Sequence, residues 1–155
     1  MNLHFVALAA LACTSCYAIW SDVRWRRLSN LLCLIVAALG VLFAFASGGA
    51  ALAGSGLLHG LAALVVGIAL FAAGAIGGGD AKYYAAVALW FPLRLAGALL
   101  LNVSLSGLVL FLVWFASRRL LGIRISKAAA SEAGKFPYGV PIAVGSVALL
   151  AWLGG

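Results

Sequence analysis

The sequence predicts an all-α integral membrane protein, a bundle of about six transmembrane helices of which the fourth is short or kinked. Of its 155 residues, 66% are hydrophobic and only 8% are charged, whereas soluble domains carry roughly 25% charged residues. The apolar residues also form long runs separated by short polar connections, as expected of helices that cross a bilayer. We therefore expect residues 1–155 to form a single transmembrane domain, with no soluble domain.

Apolar runs mark the predicted spans. They cover approximately residues 3–20, 31–47, 56–76, 81–91, 95–117 and 138–153. No Lys or Arg precedes the first run, whereas a secretory leader begins with basic residues. We therefore expect the first run to remain in place as a span.

The fourth run is too short for a complete crossing. It has about eleven residues before Pro92, or about 17 Å of helix, against a hydrocarbon core of about 30 Å. It is expected either to continue through a kink at Pro92 or to begin inside the membrane, where irregular backbone has to line a cavity. Tyr83, Tyr84 and Trp90 lie near the ends of this run, so we expect them at the membrane interface.

The basic residues indicate how the chain is threaded. If the runs alternate across the bilayer, nine of the ten Lys and Arg residues fall on one side and only Arg94 on the other. Cytoplasmic loops carry the excess of Lys and Arg, so the basic side is assigned to the cytoplasm and both termini face outward. The net charge of +7 is explained in this way, and we expect contacts with lipid headgroups and none with nucleic acid.

Two of the three acidic residues are candidate functional groups. Asp22 follows the first span and Asp80 lies between the third and fourth, both on the predicted cytoplasmic side, while Glu132 lies among basic residues in the connection 118–137. A charged side chain at the centre of a membrane helix costs about 2.5–3.5 kcal/mol, so a carboxylate at membrane depth indicates a function. Glu132 is expected to be a solvated charge.

Two neighbouring carboxyl groups can hydrolyse a peptide bond without a metal ion or cofactor. Held about 3 Å apart, they share one proton because both cannot ionise. The ionised group takes a proton from water while the protonated group polarises the scissile carbonyl. Gly77, Gly78 and Gly79 precede Asp80, and glycines would let a substrate strand approach the backbone closely.

Other interpretations use the same aspartates. In a structural one, Asp22 pairs with a nearby arginine, and Asp80 caps the fourth helix or pairs with Lys82. In another, a small proton- or cation-coupled transporter subunit uses both aspartates, which would then lie nearer mid-span. A packing subunit without chemistry would leave the glycine run unexplained.

Cysteine and histidine do not indicate a metal site. Cys13, Cys16 and Cys33 all lie in apolar runs, and the Cys13/Cys16 pair lacks a second CxxC or a nearby His, so the thiols are expected to act as small hydrophobic groups within the membrane. His4 and His59 fall toward the outer face in the predicted threading. We therefore expect no metal and no cofactor.

Three stretches resemble the motifs of a known protein family in their order and spacing. Residues 21–30 (SDVRWRRLSN) resemble a motif of Asp, basic residues and Ile/Leu-Pro-Asn; residues 77–82 (GGGDAK) are similar to GxGD with a following Lys; residues 137–141 (PYGVP) resemble a Pro-Tyr-Gly helix start. Together they resemble the type IV prepilin peptidases, which are intramembrane aspartic proteases. Presenilin-like proteases also use GxGD, but their first Asp follows a Tyr and their chains are longer.

The resemblance implies a function and a set of site residues. Asp22 and Asp80 correspond to the catalytic pair. The substrate would be a pilin-like precursor, cut at the cytoplasmic face of the inner membrane between its leader and its apolar helix. The accompanying motif residues, expected near the substrate, are Gly77, Gly78, Gly79, Lys82 and Asn30.

The chain departs from the family pattern in two places. Ser29 stands where the family usually has Pro. Larger members carry a cytoplasmic domain with paired CxxC motifs between the first two spans and also N-methylate the new terminus, whereas this connection has only about ten residues. We therefore predict a minimal peptidase, like those of tight-adherence pilus systems, without methyltransferase activity.

Overall fold

A computed structural model of the protein describes residues 2–25, 27–120 and 138–154. The helices are α1 Leu3–Trp25, α2 Asn30–Ala72, α3 Gly78–Ala88, a short 3-10 helix Leu93–Leu95, α4 Ala96–Leu120 and α5 Gly139–Leu153. Among the described residues, three segments are long and apolar enough to cross a membrane, namely α1, α2 and Leu93–Ser117. The predicted all-α membrane class is confirmed, while the number of crossings stays a prediction. Most of the connection 118–137, with Glu132, lies outside the described residues.

Helix α2 is interrupted at Gly48 and Gly49. Both residues have non-helical backbone angles: Gly48 has φ −155° and ψ 21°, and Gly49 has φ 64° and ψ −158°. The angles of Gly49 lie in a region in which only glycine is unstrained. These residues divide α2 into a first half, 30–47, and a second half, 50–72. The connection between the predicted runs 31–47 and 56–76 thus shrinks to two residues, because the alanines and the leucine that follow Gly49 are strong helix formers.

The two halves of α2 run in opposite directions along α3. In the first half, Lys82 bonds to Asn30 and Trp90 packs against Gly40, so residue numbers rise together on both helices. In the second half the order is reversed, since Gly56 meets Leu89 and Gly67 meets Ala81. The break at Gly48 and Gly49 is therefore a hairpin, as the separate predicted runs 31–47 and 56–76 require.

Helix α3 and the turn after it lie in the core. Tyr83 is fully buried and its hydroxyl lies 3.4 Å from Ser15 Oγ of α1, while buried Trp90 donates its indole N–H to the Val36 carbonyl at 2.9 Å. The expectation that these two aromatic side chains lie at the membrane interface is therefore wrong. Each finds a polar partner inside the bundle, which removes the need for contact with water. Tyr84 is only half-buried and lines a cavity.

Helix α5 packs between α1 and α4 and runs antiparallel to both. It begins with Gly139 beside Asp22, and its C-cap residue Gly154 lies beside His4. On its other side, Gly145 packs on the backbone of Val103 and Pro141 packs on Gly107. The last turn of α1 and the first turns of α2, α3 and α5 therefore meet at one end of the bundle. We refer to this end as the aspartate end.

Candidate active site

Asp22 lies in the last turn of α1, next to a short connection that two serines stabilise. Ser21 Oγ donates to the Arg27 carbonyl at 2.7 Å, and Ser29 is the N-cap of α2, its Oγ accepting from the Leu32 N–H at 3.1 Å. The φ of Ser29 is −70°, a value that proline also adopts. Serine in place of the family's proline therefore keeps this backbone geometry and adds a side-chain cap.

The Asp22 carboxylate is buried, with 7% of the residue exposed. Its Oδ2 accepts the backbone N–H of Gly139 at 2.9 Å, and Gly139 is the first residue of α5. A donor at a helix N-terminus stabilises negative charge through the hydrogen bond and the helix dipole. A Cβ at position 139 would stand 2.7 Å from Oδ2, so only glycine fits there without movement.

Gly139 is a site residue that reasoning from the sequence missed. The Pro-Tyr-Gly stretch indicated the start of the last span, but nothing in it indicated a contact with Asp22, 117 positions earlier in the chain. The available signal was a glycine at the first position of a helix, where a side chain is normally tolerated.

Asp80 lies in the first turn of α3, just before the predicted span 81–91. The backbone N–H of Gly77, the N-cap residue, is hydrogen-bonded to its carboxylate. This is the second half of a capping box, in which the third helical residue reaches back to the N-cap backbone. Asp80 therefore caps its helix, as the structural interpretation of this residue expected, and its carboxylate also lines a cavity.

The three glycines before Asp80 have different surroundings. A Cβ at Gly77 would stand 2.7 Å from Asp80 Oδ2, whereas one at Gly78 or Gly79 would make ordinary contacts with Phe71 at 3.4 Å and with Leu28 at 3.5 Å. Gly78 and Gly79 already belong to α3. Of the three, only Gly77 is required by its neighbours, and its neighbour is the Asp80 carboxylate.

The two carboxylates interact electrostatically. The pKa of Asp80 is raised from 3.8 to about 6, first by burial and then by the charge of Asp22, while the hydrogen bond from the Gly77 N–H opposes the rise. Asp22 and Asp80 are thus brought to the same end of the bundle by different helices. The sequence predicted that both aspartates lie on one side of the membrane but did not fix the distance between them, and the catalytic role of either residue stays a prediction.

A comparison with models of protein families matches the type IV leader peptidase family over residues 9–112. The chain belongs to this family. The match confirms the resemblance to the prepilin peptidases and makes the protein a membrane peptidase. No curated protein and no solved structure gives a significant match. The matched residues include Asp22, Asp80 and the glycine run, and they end before Gly139.

Lys82 and Asn30, the other motif residues of this leader peptidase, bond to each other. Lys82 Nζ donates to Asn30 Oδ1 at 3.2 Å, which joins the start of α2 to α3. The Lys82 ammonium is thus directed at an amide and not at Asp80. A role of either residue toward the substrate stays a prediction.

The histidines lie far along the helices from the aspartates, and the cysteines are unpaired. His59 Nδ1 lies 3.0 Å from the Phe91 carbonyl, which can only accept, so Nδ1 carries the proton. Cys13 and Cys16 are exposed and Cys33 is buried, all as free thiols. Within residues 2–25, 27–120 and 138–154, no three His, Cys, Asp or Glu side chains are placed to hold a metal ion.

A cavity of about 820 Å³ opens beside Asp80. Its walls are the second half of α2, α3, α4 and α5, and its lining is largely apolar, with Tyr84 and Tyr138 near Asp80. The carboxylate of Asp80 therefore faces a space that can admit another molecule, whereas that of Asp22 is enclosed by α1 and the start of α5.

Proposed function

We propose that this leader peptidase is an aspartic endopeptidase that removes the N-terminal leader of a pilin-like precursor, with Asp22 and Asp80 as its catalytic pair. The observation that carries the proposal is the electrostatic coupling of the two carboxylates, one of which opens onto a cavity. Hydrolysis by two carboxyl groups requires this arrangement, in which one group holds a proton and the other does not.

The environments of the two residues support different roles in the proposed reaction. Asp22, with the Gly139 N–H directed at Oδ2, is the ionised group and acts as general base. Asp80, whose pKa is raised to about 6, holds the shared proton and acts as general acid. General acid-base catalysis of this kind contributes about 10²–10⁴-fold to the rate.

The reaction uses water and the two carboxyl groups. Asp22 takes one proton from a water molecule as the water oxygen bonds to the scissile carbonyl carbon, and Asp80 donates its proton to the carbonyl oxygen. In the tetrahedral intermediate, the proton held by Asp22 passes to the amide nitrogen, and the C–N bond breaks. The hydroxyl proton returns to Asp80 as the new carboxyl product forms, which restores the starting state of both aspartates.

We propose that the aspartate end faces the cytoplasm of a cell with an inner membrane, and that both termini face outward. Arg24, Arg27 and Lys82 lie at the aspartate end, while Arg94 lies beside the hairpin of α2 at the opposite end. This distribution supports the orientation through the positive-inside rule. The basic residues would also contact lipid headgroups.

We also propose that the protein has no methyltransferase activity. In the larger members that it resembles, that activity accompanies a domain between the first two spans. Here α1 ends at Trp25 and α2 begins at Asn30, which leaves no room for a folded domain between them.

The transporter interpretation has less support. It requires the aspartates nearer the middle of the spans, where a coupling ion would cross. Both lie instead at helix ends, Asp22 in the last turn of α1 and Asp80 in the first turn of α3.

The test is co-expression of the protein with a pilin-like precursor, with cleavage followed by the size of the precursor. Asp22→Asn and Asp80→Asn, made separately, should each lower the cleavage rate by at least about 100-fold, because each removes one partner of the acid-base pair. Arg94→Ala, at the opposite end of the bundle, is the control and should cleave as the wild type does.

Folding has to be checked in the same preparations. Each Asn variant should elute as the wild type does in detergent and keep its thermal transition. If either variant folds normally and still cuts at the wild-type rate, the pair is not catalytic. Proton flux coupled to a solute, with no cleavage by the wild type, would favour the transporter.

A further inference from the structure

The cavity beside Asp80 is a groove between the second half of α2 and α4. On α2 the lining residues are His59, Ala62, Ala63, Val66, Gly67 and Leu70. Their spacing of three and four places them on one face of the helix. From His59 to Leu70 this face is about 16 Å long at 1.5 Å per residue.

The opposite wall is a matching face of α4. It runs from Ala96 through Leu100, Ser104 and Gly107 to Phe111, again at helical spacing and over about 22 Å. In the part of the chain that the structure describes, α4 packs against α5 and the 3-10 helix and forms no packed interface with α2. We call the space between these two faces the α2–α4 groove.

We propose that the α2–α4 groove binds the apolar helix of the precursor, the segment that follows the cleaved leader. This inference rests on the proposed function and adds to it the location of the substrate helix. The groove ends at Asp80 and Tyr138, so a helix lying in it presents its first residues, and the peptide bond before them, to the aspartates.

The shape and lining of the groove suit a helix. Two helix faces that lie apart, with α3 and α5 as the floor, leave a trough parallel to the bundle axis. A single helix satisfies its own backbone hydrogen bonds, as any segment at this depth has to do. Ala63, Gly97 and Gly107 on the walls carry little or no side chain, and small residues let helix backbones approach closely in membranes.

The direction of the bound helix follows from the site. Its N-terminal residues lie at Asp80, so it runs parallel to α3, which also begins at the aspartate end, and antiparallel to the second half of α2. The 16 Å of the α2 wall corresponds to about eleven residues of the bound helix. The precursor's specificity would therefore depend on residues well beyond the cut.

Neighbouring residues of equal exposure provide the test. Val66 and Leu100 line the groove, while Val65 and Leu101 do not; the two valines are 58% and 60% exposed and both leucines are 58% exposed. Benzoylphenylalanine is placed at each position in turn, and membranes that hold the full chain and the precursor are illuminated. Positions 66 and 100 should crosslink to the precursor or to its mature product several-fold more than positions 65 and 101.

A kinetic measurement gives a second readout. Val66→Trp and Leu100→Trp fill the groove and should raise KM for the full precursor by about tenfold with kcat little changed, the pattern of lost substrate binding. Val65→Trp and Leu101→Trp are the matched controls and should keep the wild-type KM. A shortened precursor that keeps the leader, the scissile bond and only the first residues after it, and so lacks most of the apolar helix, should be cut with the same KM by all four variants.

The outcomes distinguish a failure of the groove proposal from a failure of the proposed function. If the wild type cuts the precursor but positions 66 and 100 crosslink no better than 65 and 101, the groove proposal is overturned and the proposed function stands. If Asp22→Asn and Asp80→Asn still cut while the crosslinks follow the expected pattern, the chemistry fails and the groove proposal stands. Crosslinks at 66 and 100 that go to lipid, with no competition from added precursor, would also overturn it.

Discussion

The two aspartates at one end of the bundle have contrasting surroundings. Asp22 is buried and bonded to the first backbone N–H of α5. Asp80 is half-buried, bonded to the N-cap of its own helix and open to a cavity. One carboxylate is held by a long-range contact and the other by a local one.

This difference in surroundings acts on the protonation of two residues of the same type. A helix N-terminus favours the charged form of a carboxylate, whereas burial beside a second charge favours the protonated form. In the proposed mechanism, Asp22 is therefore the base and Asp80 the acid. The predictions that follow each disturb one side of this contrast.

The largest effect is expected from Gly139→Ala. The added methyl group would meet Asp22 Oδ2 at 2.7 Å and Leu28 Cδ1 at 3.2 Å, so the carboxylate has to move, and a displacement of about 1 Å can cost about 100-fold in rate. The loss should appear in kcat, with KM nearly unchanged, because Asp22 does not hold the substrate.

Gly54→Ala is the control, since no atom lies within 4 Å of a Cβ at that position. It should keep both constants. Wild-type kcat in a folded Gly139→Ala protein would show that the contact does not position the base.

A smaller effect is expected from Gly77→Ala. Its methyl group would meet Asp80 Oδ2 at 2.7 Å, but that carboxylate faces a cavity and has room to turn, so we expect a loss in kcat of about tenfold. Gly79→Ala, which makes only ordinary contacts, should stay within about twofold of the wild type. Equal losses in both variants would contradict this distinction between the glycines.

The smallest change concerns the protonation of Asp80. Because its pKa is raised to about 6, the folded state binds a proton that the unfolded state releases near pH 3.8. The contribution of this group to stability is present below that pH and is lost as the pH rises through about 6. Removing the charge in Asp22→Asn should lower the pKa of Asp80 part of the way, because burial is the larger cause.

Carbon-13 labelling of aspartate measures this directly in detergent. The chain has only two aspartates, so the wild type gives two carboxyl signals and Asp22→Asn leaves one. An unchanged titration of the remaining signal would mean that the two carboxylates are not coupled.

Much of the site was predictable because it depends on local signals. The cost of a charge in a membrane singles out Asp22 and Asp80, and the distribution of Lys and Arg places both on one side. The capping of α3 by Asp80 was among the interpretations of its position in the sequence. The contact with Gly139 was not predictable, because it requires α5 to return beside α1.

The burial of two aromatic residues was also not predictable from the sequence. Tyr83 and Trp90 lie near the ends of a short apolar run, as interfacial residues do, yet both are buried and bonded to Ser15 and to the Val36 carbonyl. Their positions depend on which helices surround α3. The sequence of α3 does not contain that information.

The sequence by itself determined the membrane class, the family and the pair of candidate acids, since these follow from residue type and from short motifs. The tertiary structure decided which apolar faces meet other helices and which remain open. Lipid tails and helix interiors are equally apolar, so hydropathy does not distinguish the packed face of α5 from the open faces of α2 and α4. Only the packed helices reveal that a groove ends at Asp80.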